Sequence, residues 1–418
     1  MNTLDLIRPF EAQMIADRRY LHEHPELSGQ ETETVAYITC ALEELGMSIH
    51  VIPNGGVIGV LNERAEGPCV LLRADCDALP IQESEENLTE RRCCISKNPG
   101  VMHACGHDAH TAMLLAAARA LAAIKENVPG CVLFVYERGE ETGGKGFLEN
   151  LLPYIEEHFD VGACYGAHVR WDIPAGKIAV MDGAVMAGAF GFDVNIHGRG
   201  GHGSRPDLAV NPIDCFCAIH QQASALRMRA VEPDQVLTYS LGVVSAGEQG
   251  NTIPDTLRFA GTVRTFDTAI SGERFARELR RIIDSTCEAH GCTAEYVHFS
   301  KPLYETRNHA QLAARTRQTI VQNVGMLSLA SCTPWMASES FSAYLKLWPG
   351  VLAFVGIRNE KTGCGANHHT PQFDLDENAM RNGAAAACAF ALDFLENRPE
   401  IAFEREIVSM NDLVSRSI

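Results

Sequence analysis

The sequence predicts an α/β fold on a mixed central sheet, interrupted by an inserted α+β domain of ferredoxin-like order. Three observations carry this expectation. Up to about residue 185, short apolar runs of strand length alternate with helical patterns. From Ala187 the runs alternate apolar and polar residues instead, as half-buried strands do. After Lys301 the first rhythm returns. At 418 residues the chain is also too long for one ordinary domain. The expected boundaries are residues 1–186 with 301–418 for the larger domain and 187–300 for the insertion.

Taken in order, Leu6 to His24 reads as an amphipathic helix stopped by Pro25, and Glu31 to Leu45 as a second, ended by Gly46. Cys69 to Arg73 is a short apolar run before Asp75 and predicts a buried strand. Ala109 to Lys125 is rich in alanine and leucine, which favour helix, and Asp108 stands where a cap belongs. Cys131 to Tyr136 and Val161 to His168 predict two further buried strands. In the insertion, Phe190–Ile196, Gln235–Val244, Thr256–Thr265 and Thr293–Phe299 read as strands, with helices at Pro212–Arg229 and Ser271–Ala289. That order, β-α-β-β-α-β, is the ferredoxin-like one. Val351 to Gly356 is a last buried strand, followed by an alanine-rich helix from Asn378 to Asn397.

Composition narrows the function classes. The chain is 46% apolar and 21% charged, with a formal net charge of −18, so nucleic acid and anionic membrane surfaces are poor partners. The longest apolar run, Ala112 to Ile124, is interrupted by Arg119 and too short to span a bilayer. No basic start followed by an apolar stretch marks a signal peptide. The 15 cysteines fall at irregular positions in a long chain, which reads as reduced thiols in the cytoplasm rather than a disulfide framework. Cys40, Cys131 and Cys388 sit in apolar company and are expected in the core.

The residues that bear chemistry lie at the ends of these runs. Met102 to His110 reads Met-His-Ala-Cys-Gly-His-Asp-Ala-His, with a thiol, Cys105, and an imidazole, His107, just before a helix. Glu140 and Glu141 follow one strand, His168 closes another, and His369 precedes Thr370-Pro371. Ligand sites in α/β folds gather beyond the carboxyl ends of strands, so these points can converge. Five such ligands are too many for one tetrahedral ion and suit two ions sharing a bridge. Adjacent residues on an extended backbone point opposite ways, so one carboxylate of the Glu140-Glu141 pair can bind metal while the other faces a water. Cys105 as a nucleophile with His107 or His110 as its base is a competing reading, and a protein that only binds a ligand or dimerises is a third.

Six stretches carry a family resemblance. Arg19-Tyr-Leu-His-Glu-His-Pro-Glu-Leu27, Leu72-Arg-Ala-Asp-Cys-Asp-Ala-Leu-Pro-Ile81, Met102 to His110, Gly198-Arg-Gly-Gly-His202, Asn251-Thr-Ile-Pro254 and Gly261-Thr-Val-Arg-Thr-Phe266 follow one another as motifs of the M20 metallopeptidase family do. The nearest branch comprises amidohydrolases of N-acyl amino acids, hippurate and auxin conjugates. The resemblance implies a dinuclear site in which Cys105 bridges two divalent ions, His107 and His168 bind on one side, and Glu141 and His369 on the other. It makes Glu140 the general base and Asp77 a residue that orients a ligand. The insertion would be a lid and dimerisation domain, with His202 stabilising the oxyanion in the partner's site and Asn251 and Arg264 near the substrate carboxylate. Three stretches depart from the branch, one of them Gly363-Cys-Gly-Ala-Asn-His-His369 at the last expected ligand. Tyr136-Glu137-Arg138-Gly139 stands where Phe-Gln-Pro-Ala is usual, and Ser338-Glu339-Ser340-Phe341 where Ser-Glu-Asp-Phe is common.

The expectation is therefore a metal-dependent amidohydrolase, a cytoplasmic homodimer paired through its lid, that cleaves small N-acyl amino acids or related conjugates. A dipeptidase or aminopeptidase of the same family is the alternative. The ligand types suit Zn²⁺ or Mn²⁺, and also Co²⁺ or Ni²⁺.

Overall fold

A computed structural model describes residues 2–144, 146–405 and 409–416. The chain divides into two compact units. The first comprises Met1–Gly183, Arg307–Thr333 and Ser340–Val414; the second comprises Ala184–Thr306, Pro334–Glu339 and Ser415–Ile418.

The first unit is built on a seven-stranded sheet. Its strands are β1 (Ser48–Ile52), β2 (Gly56–Leu61), β3 (Cys69–Asp75), β4 (Val132–Glu137), β5 (Val161–Pro174), β6 (Ile178–Ala179) and β7 (Gly350–Arg358). They lie in the order β1-β2-β4-β3-β5-β7-β6. β3 runs parallel to β4 and β5, and β5 parallel to β7, while β1, β2 and β6 pair antiparallel, so the sheet is mixed as expected. Every residue of β2, β3 and β4 is buried. Side chains alternate between faces, so both faces of these strands are covered, which is why β3 and β4 read as apolar runs up to their charged ends.

Four helices pack on this sheet or on one another: α1 (Glu11–Glu23), α2 (Thr32–Glu43), α3 (His107–Ala123) and α4 (Met380–Asn397). The alanines of α3 and α4 let backbones approach closely. A Cβ at Gly383 of α4 would fall 2.3 Å from Met113 Sδ. The predicted first helix is divided in the structure, because Pro9 sits in a 3-10 turn, Arg8–Phe10, between Thr3–Ile7 and α1. β1 and β2 escaped the sequence reading because His50, Gly55, Gly56 and Gly59 dilute their apolar pattern. Cys131 and Cys388 are buried, whereas Cys40 is exposed, on the outer side of α2; all 15 cysteines are free thiols.

The second unit carries the strands Gly188–His197, Leu237–Ala246, Thr256–Thr265 and Thr293–Phe299 and the helices Pro212–Ala230 and Glu273–Ala289, in the predicted β-α-β-β-α-β order. Its antiparallel sheet places Leu237–Ala246 at one edge and Thr293–Phe299 at the other. Among the described residues, no helix is long and apolar enough to cross a membrane.

Candidate active site

The site forms where β3 and β4 reach their carboxyl ends, beside His168 within β5, and where α3 begins. Gly106 makes the corner between Cys105 and His107. Its φ of 91° is left-handed, and a Cβ there would lie 2.4 Å from Val169 Cγ2. Glycine alone meets both demands. It also corrects the expected cap, since Gly106 precedes a helix that begins at His107. Asp108 lies inside that helix and turns its carboxylate to Arg18 Nε at 2.9 Å and His22 Nδ1 at 2.8 Å. Gly139, with φ 73°, makes the corresponding turn from β4 into the short 3-10 segment Glu140–Thr142.

The five expected ligands converge. Donor atoms of Cys105, His107 and His168 lie within 4.8 Å of one another, and so do those of Cys105, Glu141 and His369. Two triads thus share the thiol. His168 lies inside β5 rather than at its end, since the strand continues to Pro174. Cys105 Sγ is 3.5 Å from His168 Nε2. Glu141 Oε1 is 3.8 Å from His107 Nε2 and 3.4 Å from His369 Nε2. His369 takes a left-handed φ of 59°, a conformation costly for a residue with a side chain and common where function demands it.

Hydrogen bonds fix which ring nitrogens are bare. His168 Nδ1 lies 2.7 Å from the Val169 carbonyl, which can only accept, so Nδ1 carries the proton and Nε2 the lone pair. His107 Nδ1 donates to Asp77 Oδ1 at 2.9 Å, leaving Nε2 bare. The other Asp77 oxygen accepts from the Glu141 amide at 2.9 Å and from Ser28 Oγ at 2.6 Å. Asp77 therefore steadies His107 and Glu141 at once, the arrangement that carboxylates behind metal-binding histidines take.

His107 Nε2 and Glu141 Oε1 are buried without a hydrogen-bond partner among the described residues. An unpaired buried polar atom costs about 1–3 kcal/mol. A divalent cation would satisfy both, so the donor set fits a metal.

The electrostatics agree with that fit. Burial, then the Glu141 charge, pushes the Cys105 thiol well above its ordinary value. Burial opposes charge on His107, but Asp75, Cys105 and the bond to Asp77 more than offset it and raise its value well above 6.5 in the absence of a cation. Cations displace such protons on binding. Burial and the neighbours His110 and His368 keep His168 neutral, ready to bind. An activated cysteine nucleophile needs a depressed value, so the metal-free Cys105 is the reverse of one.

The supporting roles of Asp75 and His110 are not evident from the sequence. Asp75 Oδ1 accepts from His110 Nδ1 at 2.6 Å, and His110 Nε2 accepts from the Val169 amide at 2.8 Å, beside His168. The signal was the alternation Arg73-Ala-Asp75-Cys-Asp77, which sends 73, 75 and 77 to one side of an extended chain. Two of the three departures from the branch pattern also meet here, since Ser340 Oγ donates to Glu137 Oε1 at 2.6 Å.

His202, Asn251 and Arg264 belong to the second unit. His202 is exposed in a two-residue ribbon with Thr252–Ile253, and the Gly203 amide donates to Asn251 O at 2.8 Å, so His202 and Asn251 are neighbours. His202 Nδ1 accepts from the Ser204 amide at 3.1 Å, which places its proton on Nε2. Arg264 Nη1 donates to Ser338 Oγ at 2.6 Å.

The chain is similar to known proteins over most of its length. The pattern of "Peptidase family M20/M25/M40" matches residues 71–393. The chain is 33% identical over 394 residues to "Thermostable carboxypeptidase 1" of Saccharolobus solfataricus, covering 93% of this chain and 97% of that protein. It is 33% identical over 386 residues to "IAA-amino acid hydrolase ILR1-like 5" of Arabidopsis thaliana, covering 91% and 86%. Among solved structures, a Bacillus subtilis protein described as a dinuclear metal binding peptidase from the M20 family superposes with a TM-score of 0.76 at 30% identity, covering 93% of this chain and 99% of that one.

Proposed function

The chain belongs to peptidase family M20/M25/M40 and is a hydrolase of amide bonds, and from that premise we propose that it releases an amino acid from an N-acyl amino acid or a related conjugate. The observation that carries this reading is the pair of ligand triads sharing Cys105, with Glu140 beside them. The relatives support the substrate class, because a carboxypeptidase and an IAA-amino acid hydrolase both free an amino acid from an amide.

Cys105, His107 and His168 would hold one divalent ion, and Cys105, Glu141 and His369 would hold a second. Zn²⁺ and Mn²⁺ match the donors, and Co²⁺ or Ni²⁺ would also be accepted. Bound ions supply Lewis acidity here: they lower the pKa of water and polarise a carbonyl oxygen. Glu140, 9% exposed, takes the proton of the attacking water and passes it to the departing amine. Asp77 orients His107 and Glu141. The Nε2 proton of His202 suits donation to the oxygen on which charge develops. Arg264 and Asn251 receive the substrate carboxylate, for which a guanidinium fork is well shaped.

Residues 187–300 serve as lid and dimerisation domain. The exposed edge strand supports this, with Val243 at 39% and Val244 at 51% exposure on Leu237–Ala246.

The test is turnover of the metal-analysed enzyme against a panel of N-acyl amino acids, dipeptides and amino-acid amides. The reading expects the N-acyl amino acids to give the highest kcat/KM. Preference for substrates with a free amino group would favour a dipeptidase or aminopeptidase and sink the proposed class.

A further inference from the structure

Beneath Glu140 lies a buried polar cluster for which hydrolysis itself has no direct use. Arg73 is 4% exposed, and Asp75, Glu137 and Ser340 are at most 1% exposed. All three guanidinium nitrogens of Arg73 are committed: Nε donates to Glu137 at 2.9 Å, Nη1 to Asp75 at 2.9 Å and Nη2 to Ser340 Oγ at 2.7 Å. Since arginine only donates, the Ser340 hydroxyl accepts there and sends its own proton to Glu137 Oε1 at 2.6 Å. The backbone amide of the same serine donates to Glu140 Oε1 at 2.9 Å.

Ser340 thus joins two carboxylates by different atoms, its hydroxyl on Glu137 and its amide on Glu140. We propose that Arg73, Glu137 and Ser340 form a positioning device that fixes the Glu140 carboxylate for proton transfer. This rests on Glu140 being the general base. The hydroxyl is anchored from both sides, so the amide of residue 340 cannot swing away from Glu140 without breaking buried hydrogen bonds. Burying two carboxylates and one guanidinium is costly unless every group is paired. Glu137 also ends β4 only three residues before Glu140, so one strand end carries both the base and the anchor that indirectly holds it. A base displaced by about 1 Å loses on the order of 10²-fold in rate, which is ample reason for such a support.

The device makes a prediction about charge that simple packing does not. Ser340→Asp alone would set a third carboxylate against one guanidinium, and Glu137→Gln alone would remove one. Together they move the carboxylate across a hydrogen bond and restore the count, with an amide at 137 donating to the new acid at 340.

The experiment measures kcat, KM, bound metal and thermal midpoint for wild type, Ser340→Ala, Arg73→Lys, Glu137→Gln, Ser340→Asp, the Glu137→Gln/Ser340→Asp pair and Glu140→Gln. The expected result is kcat lowered about tenfold or more per metal-loaded molecule in Ser340→Ala and Arg73→Lys, with KM changed less than about threefold and metal content retained. The pair should exceed the kcat of its worse parent by about tenfold. Unchanged kcat in Ser340→Ala and Arg73→Lys would overturn the proposal, and so would a pair no better than its worse parent. If those variants are fully active while Glu140→Gln is dead, the device fails and the base assignment stands. If Glu140→Gln itself turns over normally, the base assignment fails, and the device with it.

Discussion

Asp77 Oδ1 accepts from His107 Nδ1 at 2.9 Å, and this single bond decides which nitrogen of His107 faces the ligand cluster. The partner carboxylate oxygen is occupied by the Glu141 amide and Ser28 Oγ. Burial alone would favour neutral Asp77, yet the bonds from His107, Ser28 and Glu141 hold its carboxyl below the usual range. Asp77→Asn offers one acceptor where two are needed, so an amide N–H would face either His107 or the Glu141 amide. Metal affinity should fall about 10–100-fold, measured by competition with a chelator. Wild-type affinity in the variant would remove Asp77 from the ligand support.

Glu140→Gln should keep its metal and lose turnover by about 10²–10⁴-fold. Glutamine keeps an oxygen that can accept from the Ser340 amide but cannot take a proton from water. Elemental analysis beside steady-state rates checks both halves. Near-normal turnover with metal bound would end Glu140's assignment as the base.

Cys105→Ala should lower the metal content of both positions together. The thiol belongs to both triads, so its loss removes one of three protein donors from each. The fully loaded wild type is expected to hold two ions per chain by elemental analysis. One ion or none would dismiss the dinuclear reading.

A buried histidine away from the metal ligands sets a pH dependence of stability. His22 Nδ1 contacts Asp108 at 2.8 Å and Nε2 contacts Glu83 at 2.8 Å. Burial and the Arg18 charge push its value down, but those hydrogen bonds and the Asp108 charge raise it overall above 6.5. A raised folded value means the stabilisation is full below the unfolded value and is lost as pH rises through the folded one. The wild type should therefore lose its margin over His22→Gln as pH climbs above neutrality. At low pH that margin should be about 1–3 kcal/mol, since Asp108 keeps Arg18 and Glu83 keeps Arg92 while each carboxylate loses a hydrogen bond from the imidazolium. Denaturant melts of both proteins from pH 6 to 9 supply the measurement, and parallel curves would contradict it.

Much of this could be seen before the structure, and for physical reasons. β3, β4 and β7 are buried on both faces, so their sequences are apolar runs up to their charged ends. Glu141 was legible because it follows such a run, and Cys105 and His107 because they precede the alanine-rich helix. Arg73, Glu137 and Ser340 were not, because a buried charge reveals itself only with its partner, and Ser340 lies 203 positions from Glu137. Cys40 misled because apolar neighbours in sequence stand on other sides of a helix. Asp108 looked like a cap because the sequence does not reveal that Gly106 takes a left-handed turn.

The last prediction concerns His202. Its ring is exposed, its Nδ1 is occupied by Ser204, and it stands in the glycine-rich run Gly198 to Gly203. Such a residue can donate from Nε2 to an oxyanion, and the reading above assigns it to the site of a second chain. Then His202→Ala and Glu140→Gln are defects in different halves of one composite site. Mixed and allowed to exchange subunits, the two dead parents should form hybrids in which one site has both residues intact. Statistical exchange makes half of the dimers hybrid, each with one good site, so activity should approach about a quarter of wild type, far above residual levels of roughly 10⁻² or less expected from lost oxyanion or base catalysis. Native mass spectrometry on tagged parents reports the hybrid fraction, and the rate is read from the same sample. Hybrids present at that fraction without recovered activity would show that His202 does not serve the other chain's Glu140, and a protein that is monomeric by light scattering at assay concentration yet fully active would show it independently.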